Sequence, residues 1–318
     1  MTGPGQFAIS LDFELLWGVR DHSDKASYGG NVLGAREAIP AILDLFAQFE
    51  IQATWATVGF LFCESKEELL SVLPEERPAY DDPKLSNYTY LDEVGEDERR
   101  DPYYFAASII ERIQETPGQE IGTHTFSHFY CLETGATAAA FDADLRAAQD
   151  IARRRGVTLK SIVFPRNQFG PENLKVCQDR GIEVYRGNPA GWAYRSANSK
   201  QQTPLRRAVR LLDAHTGALG SHVFGPDPLN LPAEDRASRF LRPCVGRLAR
   251  LHPLHVGTVC RGMTQAARAG QSFHLWWHPH NFGRDPEANM SVLETVLTHY
   301  RALRDEHGMQ SRTMGALS

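Results

Sequence analysis

The sequence predicts an α/β fold, a distorted (β/α) barrel of about seven parallel strands. Two observations predict it. Strand-like and helix-like segments alternate about seven times along the 318 residues. The first sixty residues run strand, helix, strand, an order that joins parallel neighbours. A third observation bears on function: polar residues cluster just after several strands, where such barrels build their sites.

The first strand is read over Phe7–Glu14. Phe7, Ile9, Leu11 and Phe13 share one face and would pack on helices. Ala8, Ser10, Asp12 and Glu14 share the other. Its last two members are carboxylates about 7 Å apart by strand rise, costly to bury without a metal or a shared proton. A loop containing glycine follows over 17–34, then a helix over 35–48 with Ile39, Ile42, Leu43 and Phe46 at helical spacing. Residues 51–60 form the second strand. Residues 64–102, whose 64–100 portion holds 12 acidic and 5 basic side chains by count from the sequence, read as a solvated acidic insertion with some helix over 67–73.

A helix over 105–114 leads to a short strand at 120–122, then to the run Thr123-His124-Thr125-Phe126-Ser127-His128. A helix over 141–155 ends at Gly156. A strand over 161–164 precedes Pro165-Arg166-Asn167-Gln168-Phe169-Gly170, and Pro171 opens the next helix from its favoured first-turn position. A strand is read over 182–185. Residues 188–271 read as an irregular basic insertion; its 201–270 portion holds 10 basic and 4 acidic residues by count, with an arginine-rich helical candidate over 235–251. A strand over 272–278, a helix over 290–304 and a strand near 311–314 close one catalytic domain spanning 1–318.

Composition narrows the partners. The net charge of -5 gives no footprint for nucleic acid. The five cysteines show no paired spacing, which suits a reducing compartment. No N-terminal leader pattern and no 20-residue apolar run is visible, so the expected location is cytoplasmic, with peripheral membrane contact compatible with the basic segment.

His124 and His128 stand four apart after a strand, the separation of one helical turn, so both rings can reach one point. Two imidazoles and a carboxylate would leave an open position on Zn²⁺, as catalytic sites require; Fe²⁺, Co²⁺ or Ni²⁺ suit the same donors. In Phe273–His280, alternation places His274, Trp276 and His278 on one face. His278, at the strand end, is a candidate general acid; His274 reads as a core histidine, and His280, past Pro279, as exposed. Arg166 reads as a partner for a nearby carboxylate or as a surface arginine.

Together these pieces resemble the polysaccharide deacetylase family, the NodB-homology enzymes of carbohydrate esterase family four. Ser10-Leu11-Asp12-Phe13-Glu14 is similar to the family's Thr-Phe-Asp-Asp-Gly, with Asp-x-Glu in place of the adjacent acids. His124-Thr125-Phe126-Ser127-His128 matches its His-(Ser/Thr)-x-x-His. Arg166–Gly170 loosely matches Arg-Pro-Pro-Tyr-Gly, and Leu275–His278 approximates its Leu-x-His. The resemblance implies a NodB-like barrel and hydrolysis of an N-acetyl group on an acetamido sugar. It implies Glu14, His124 and His128 on a divalent metal, Zn²⁺ by expectation, and Asp12 as base; the reverse assignment of the two acids is the alternative. It further implies Arg166 paired with Asp12, the Phe169 N–H as oxyanion donor, His278 as acid and Trp192 as a wall for the sugar. Cytoplasmic location and basic charge point to a nucleotide- or lipid-linked precursor of surface polysaccharide. A cyclic-amide hydrolase of the allantoinase kind and a non-catalytic carbohydrate-binding relative are the rival readings.

Overall fold

The structure, a computed structural model, describes residues 3–225, 231–244 and 246–317; of residues 247–249 only the backbone is described. Strand β1 (Gln6–Phe13) is followed by helix α1 (Lys25–Phe49), β2 (Ala53–Thr57), α2 (Lys66–Ser71), α3 (Ala107–Glu115), β3 (Gln119–Thr123) and α4 (Ala138–Arg154). Then come β4 (Ser161–Ile162), α5 (Pro171–Asp179), β5 (Val184–Gly187), α6 (Pro204–Thr216), β6 (Ala233–Arg236), β7 (Arg239–Phe240), α7 (His252–Ala269), β8 (Ser272–Trp277), α8 (Pro286–His307) and β9 (Gln310–Arg312). All strand pairs among these are parallel, in the order β6-β5-β4-β3-β2-β1-β8-β7, with β9 beside the start of β1.

The two ends of that order belong to one stretch of chain. β6 pairs with β5 and β7 with β8, and only Ala237 and Ser238 separate them. The segment Ala233–Phe240 therefore works as one kinked strand that links the two ends of the sheet. Counting it once and setting β9 aside gives the seven-membered parallel barrel expected.

The alternation of β1 explains its seat. The outward rings of Phe7 and Phe13 meet Tyr300 of α8 and Trp55 of β2. Inward, Ala56, Val163, Val184, Ala233 and Met314 form a separate small cluster. The rest of the apolar core lies between the sheet and its helices.

Three expectations change. Helix α1 begins ten residues earlier than periodicity predicted, because Asp24 and Ser27 form a reciprocal capping box. The acidic stretch is no solvated excursion. Leu91 and Val94 are buried in the main core, and the Asn87 amide donates to the Trp17 and Ser127 carbonyls at 3.0 Å. The basic stretch is no insertion beside the barrel either: it supplies β6, β7, α6 and α7. Its predicted helix over 235–251 is instead strand as far as Phe240 and a 3-10 helix over Gly246–Leu251, and the α-helix starts at His252; residue 245 and the side chains of 247–249 lie outside the described residues. Pro243 explains part of this, since proline brings no N–H to a helix ladder and disfavours helix at the residue before it. No helix among the described residues is long and apolar enough to cross a membrane.

The loop after β8 is seated on α1 by two glycines. A Cβ on Gly34 would stand 2.2 Å from the Gly283 carbonyl oxygen, and one on Gly283 would stand 2.1 Å from the Asn31 oxygen. Helix propensity alone would make Gly34→Ala stabilising by about 1 kcal/mol. Overpacking costs about 1–3 kcal/mol, and here two backbones meet with no side chain free to yield. We expect Gly34→Ala to lower the urea midpoint, and to lower turnover as well by shifting the loop that carries His280.

Candidate metal and catalytic centre

The site lies where β1, β3 and β8 end. Glu14 has left the strand (φ -133°, ψ -14°), which turns its side chain toward the loop after β3. Its Oε2 lies 2.9 Å from His128 Nε2 and 3.2 Å from His124 Nε2, with all three side chains buried. The donor atoms of this trio lie within 4.8 Å of one another. His124 Nδ1 bonds the Val163 carbonyl at 2.8 Å, so that nitrogen carries the proton and Nε2 keeps its lone pair. His128 Nδ1 is buried without a partner. A carboxylate flanked by two imidazoles, one with its tautomer set from behind, is a donor set that fits a divalent cation.

The histidine pair converges differently from the expected helical turn. Residues 124–128 form an irregular loop in which Thr125 (φ 64°) and His128 (φ 61°) both adopt left-handed backbone. Such strain persists only where the surroundings enforce it. Asp144 on α4 does so: its carboxylate accepts from the Phe126 N–H at 2.6 Å, the Ser127 N–H at 3.1 Å and the Ser127 hydroxyl at 2.5 Å. Burial pushes the Asp144 carboxyl up to about 6, and its hydrogen bonds only partly offset that.

Asp12 takes a different partner from the one expected. Arg166 instead pairs with Asp21 and stacks over the Tyr130 ring at 4.3 Å. The guanidinium on Asp12 is that of Arg186, from β5 on the far side of the barrel, in a bidentate contact at 2.6 and 2.9 Å. The reason is alternation and length. Arg166 lies on a turn whose backbone is left-handed (φ 54°), and its guanidinium meets Asp21 and the Tyr130 ring. β5 runs on past Tyr185, and Arg186 shares the inward face with Val184. Arg186 is fully buried, bonds Ser10 Oγ and Asn167 Oδ1 at 3.0 Å, and lies over the Trp276 ring at 4.1 Å. Burial raises the Asp12 carboxyl, but Arg186 and the nearby His124 more than offset this, so it lies below its ordinary value.

His278 Nε2 lies 3.7 Å from Asp12 Oδ2 and 3.7 Å from Glu14 Oε1, and its side chain remains 24% exposed. It is the one histidine here that a substrate can reach from outside the barrel. His280, expected to be exposed, is buried; it stacks on His278 at 5.0 Å, and its Nε2 lies 3.8 Å from Glu14 Oε1. Burial is the main cause that drives its imidazole down to about 3, so it stands neutral. His274 is a core residue as read, bonded to Ser10 Oγ at 2.8 Å. The Phe169 ring packs between Phe164 and Tyr185, each at 5.2 Å. Trp192 is half exposed, and the cavity beside His278 is walled instead by Tyr194, Phe240 and Trp276.

Sequence reading thus missed Arg186 and misplaced His280. An arginine at an inward position of an otherwise apolar strand was the available signal for the first. For the second there was none, because the residues of α1 that meet it, Tyr28 and Asn31, are far away in sequence, Asn31 by 249 positions.

No family model and no curated protein matches the sequence. Solved structures do match. Over 100% of this chain and 90% of the other, the fold is similar to that of a "putative polysaccharide deacetylase from Mycobacterium smegmatis", with TM-score 0.62 and 12% identity. It is similar to Puue allantoinase over 98% and 87%, with TM-score 0.57 and 11% identity. It is also similar to a 4-alpha-glucanotransferase from Thermococcus litoralis over 99% of this chain and 40% of that one, with TM-score 0.56 and 13% identity. The barrel is the NodB-like fold of the polysaccharide deacetylases.

Proposed function

We propose that this NodB-like chain is a metal-dependent amide hydrolase that removes the N-acetyl group of an acetamido sugar. One observation carries the reading. Two buried carboxylates stand side by side in different company, Glu14 between two imidazoles and Asp12 on an arginine, with a half-open histidine 3.7 Å from both. Environments that separate two acids in this way assign them different work.

Glu14, His124 and His128 would hold the cation, for which Zn²⁺ is our choice. When bound, such a cation supplies Lewis acidity toward water and toward an amide carbonyl. Asp12 is the base: Arg186 keeps it ionised and aimed, ready to take a proton from the attacking water. His278 gives a proton to the departing nitrogen as the C–N bond breaks, leaving acetate and a free amino sugar. The Phe169 N–H is our candidate donor to the oxyanion, and its ring, held between two aromatic neighbours, steadies that backbone. Arg166 acts at one remove: it covers Tyr130, whose ring meets the edge of His128 at 5.1 Å.

We place the substrate among nucleotide- or lipid-linked sugars made for surface polysaccharide, on the basic character of residues 201–270. The fold shared with an allantoinase favours one rival, hydrolysis of a ring amide. The test pairs elemental analysis of the purified chain with acetate release from a panel of acetamido sugars, and with opening of ring amides. We expect bound divalent metal and acetate from at least one sugar. Ring opening without acetate release, or sugar binding without turnover, would replace this reading with one of its rivals.

A further inference from the structure

Beside His278 lies a cavity of about 220 Å³. Phe240 and Trp276 form one wall, their rings 5.6 and 5.7 Å from that of His278. Five arginines reach the cavity, Arg166, Arg195, Arg210, Arg239 and Arg242, and among the described residues no aspartate or glutamate lines it. Two are neutralised elsewhere, Arg166 by Asp21 and Arg239 by Asp213 at 2.9 Å. The other three have no carboxylate within 4.0 Å among the described residues.

The uncompensated pair Arg210 and Arg242 is built in, not trailing in solvent. Both are partly buried. Arg210 donates to Gln202 Oε1 at 2.8 Å and is also bonded to the Ala193 carbonyl at 3.4 Å, which leaves donors of its fork free. Arg242 is held by its main chain. Its N–H donates to His255 Nε2 at 3.1 Å and its carbonyl accepts from His252 at 2.8 Å, while its own Nε is buried without a partner. His255 can accept because burial keeps it neutral, its imidazole lowered to about 4. Burial, and for Arg210 also the charge of Arg206, disfavours both cations. Half-buried like charges with no counterion are costly to maintain. Bidentate guanidinium donors are the groups that best match a phosphate or a carboxylate.

We propose that this cavity is the subsite for an oxyanion carried by the substrate, a phosphate or a carboxylate on the sugar, held directly by Arg210 and Arg242. The proposal deepens the deacetylase reading and rests on it for the place of the sugar ring. It also narrows the basic stretch: Arg206 is spent on the Gln201 and Arg195 carbonyls, and Arg207 is exposed and absent from the cavity wall.

The test is binding, which needs no turnover. The purified full chain is titrated calorimetrically with N-acetylglucosamine, N-acetylglucosamine 1-phosphate, UDP-N-acetylglucosamine and an N-acetylated hexosaminuronic acid. At least one anionic sugar should bind ten times more tightly than the neutral one, with affinity falling as salt rises. Arg210→Gln and Arg242→Gln should each weaken that ligand about 10- to 100-fold and leave the neutral sugar unchanged. The preferred anion tells phosphate from carboxylate. Should Arg210→Gln fail to fold, Arg242→Gln, which removes no hydrogen bond to protein, still gives the answer. Equal affinity for neutral and charged sugars, or equal weakening of both by the variants, overturns the subsite. Arginine-dependent binding without acetate release would leave the subsite standing and remove the deacetylase reading.

Discussion

Arg186→Met should lower the free energy of unfolding by about 3–5 kcal/mol, the usual loss when one partner of a buried ion pair is removed. The loss arises because Asp12 is 3% exposed and would keep its charge in a barrel interior with its bidentate cation gone. The pH dependence should change sign with it. In the native chain the Asp12 carboxyl lies below its unfolded value. It therefore contributes stability that is present above that unfolded value and lost as pH falls through the folded one. Without Arg186, only the nearby His124 and His278 oppose burial, and we expect burial to raise the carboxyl, so the same group costs stability as pH rises past its unfolded value. Urea unfolding at several pH values reads both effects. Adding Asp12→Asn to Arg186→Met should restore part of the stability, since no buried charge is then left alone, while activity stays absent. A single variant as stable as the native chain would mean that water or another cation already compensates Asp12.

His124→Ala should remove the bound metal and with it at least about a thousandfold of turnover, the equivalent of the several kcal/mol that a metal supplies to a polar transition state. Glu14→Gln should act in the same direction. Asp12→Asn is the contrast, because it should keep the metal and lose about 10²–10⁴ in kcat through the missing base. Metal content by elemental analysis and turnover by acetate release separate the two classes. If Asp12→Asn shed the metal and Glu14→Gln kept it, the two acids would exchange roles. That order is the less expected one, since Glu14 Oε2 already lies between both Nε2 atoms, whereas Asp12 is committed to Arg186 through both oxygens. Arg166→Ala should be mild beside these variants, because its carboxylate partner is Asp21, outside the reacting groups.

Much was legible in the order of residues. Period two in Phe7–Phe13 told which side chains face helices and which face the barrel, because a strand has no other way to divide its faces, whereas Glu14 has left the strand and is placed by the turn after it. The spacing of His124 and His128 told that two rings could meet, although the loop that brings them together is held in left-handed backbone by Asp144. The alternation of strands and helices told the parallel barrel, because parallel neighbours need crossovers of that length. Pairing across the barrel was not legible. Which of 34 lysines and arginines meets Asp12 depends on closure of the sheet, which sets β5 against β1 with the partners 174 positions apart. The burial of His280, the anchoring of the acidic stretch and the gathering of arginines around one cavity depend on the same closure. Local preference acts over a few residues and so determined the elements and the donor groups they carry. Only the tertiary structure decided which charges share a low-dielectric interior, because that depends on distances through space that no local pattern encodes.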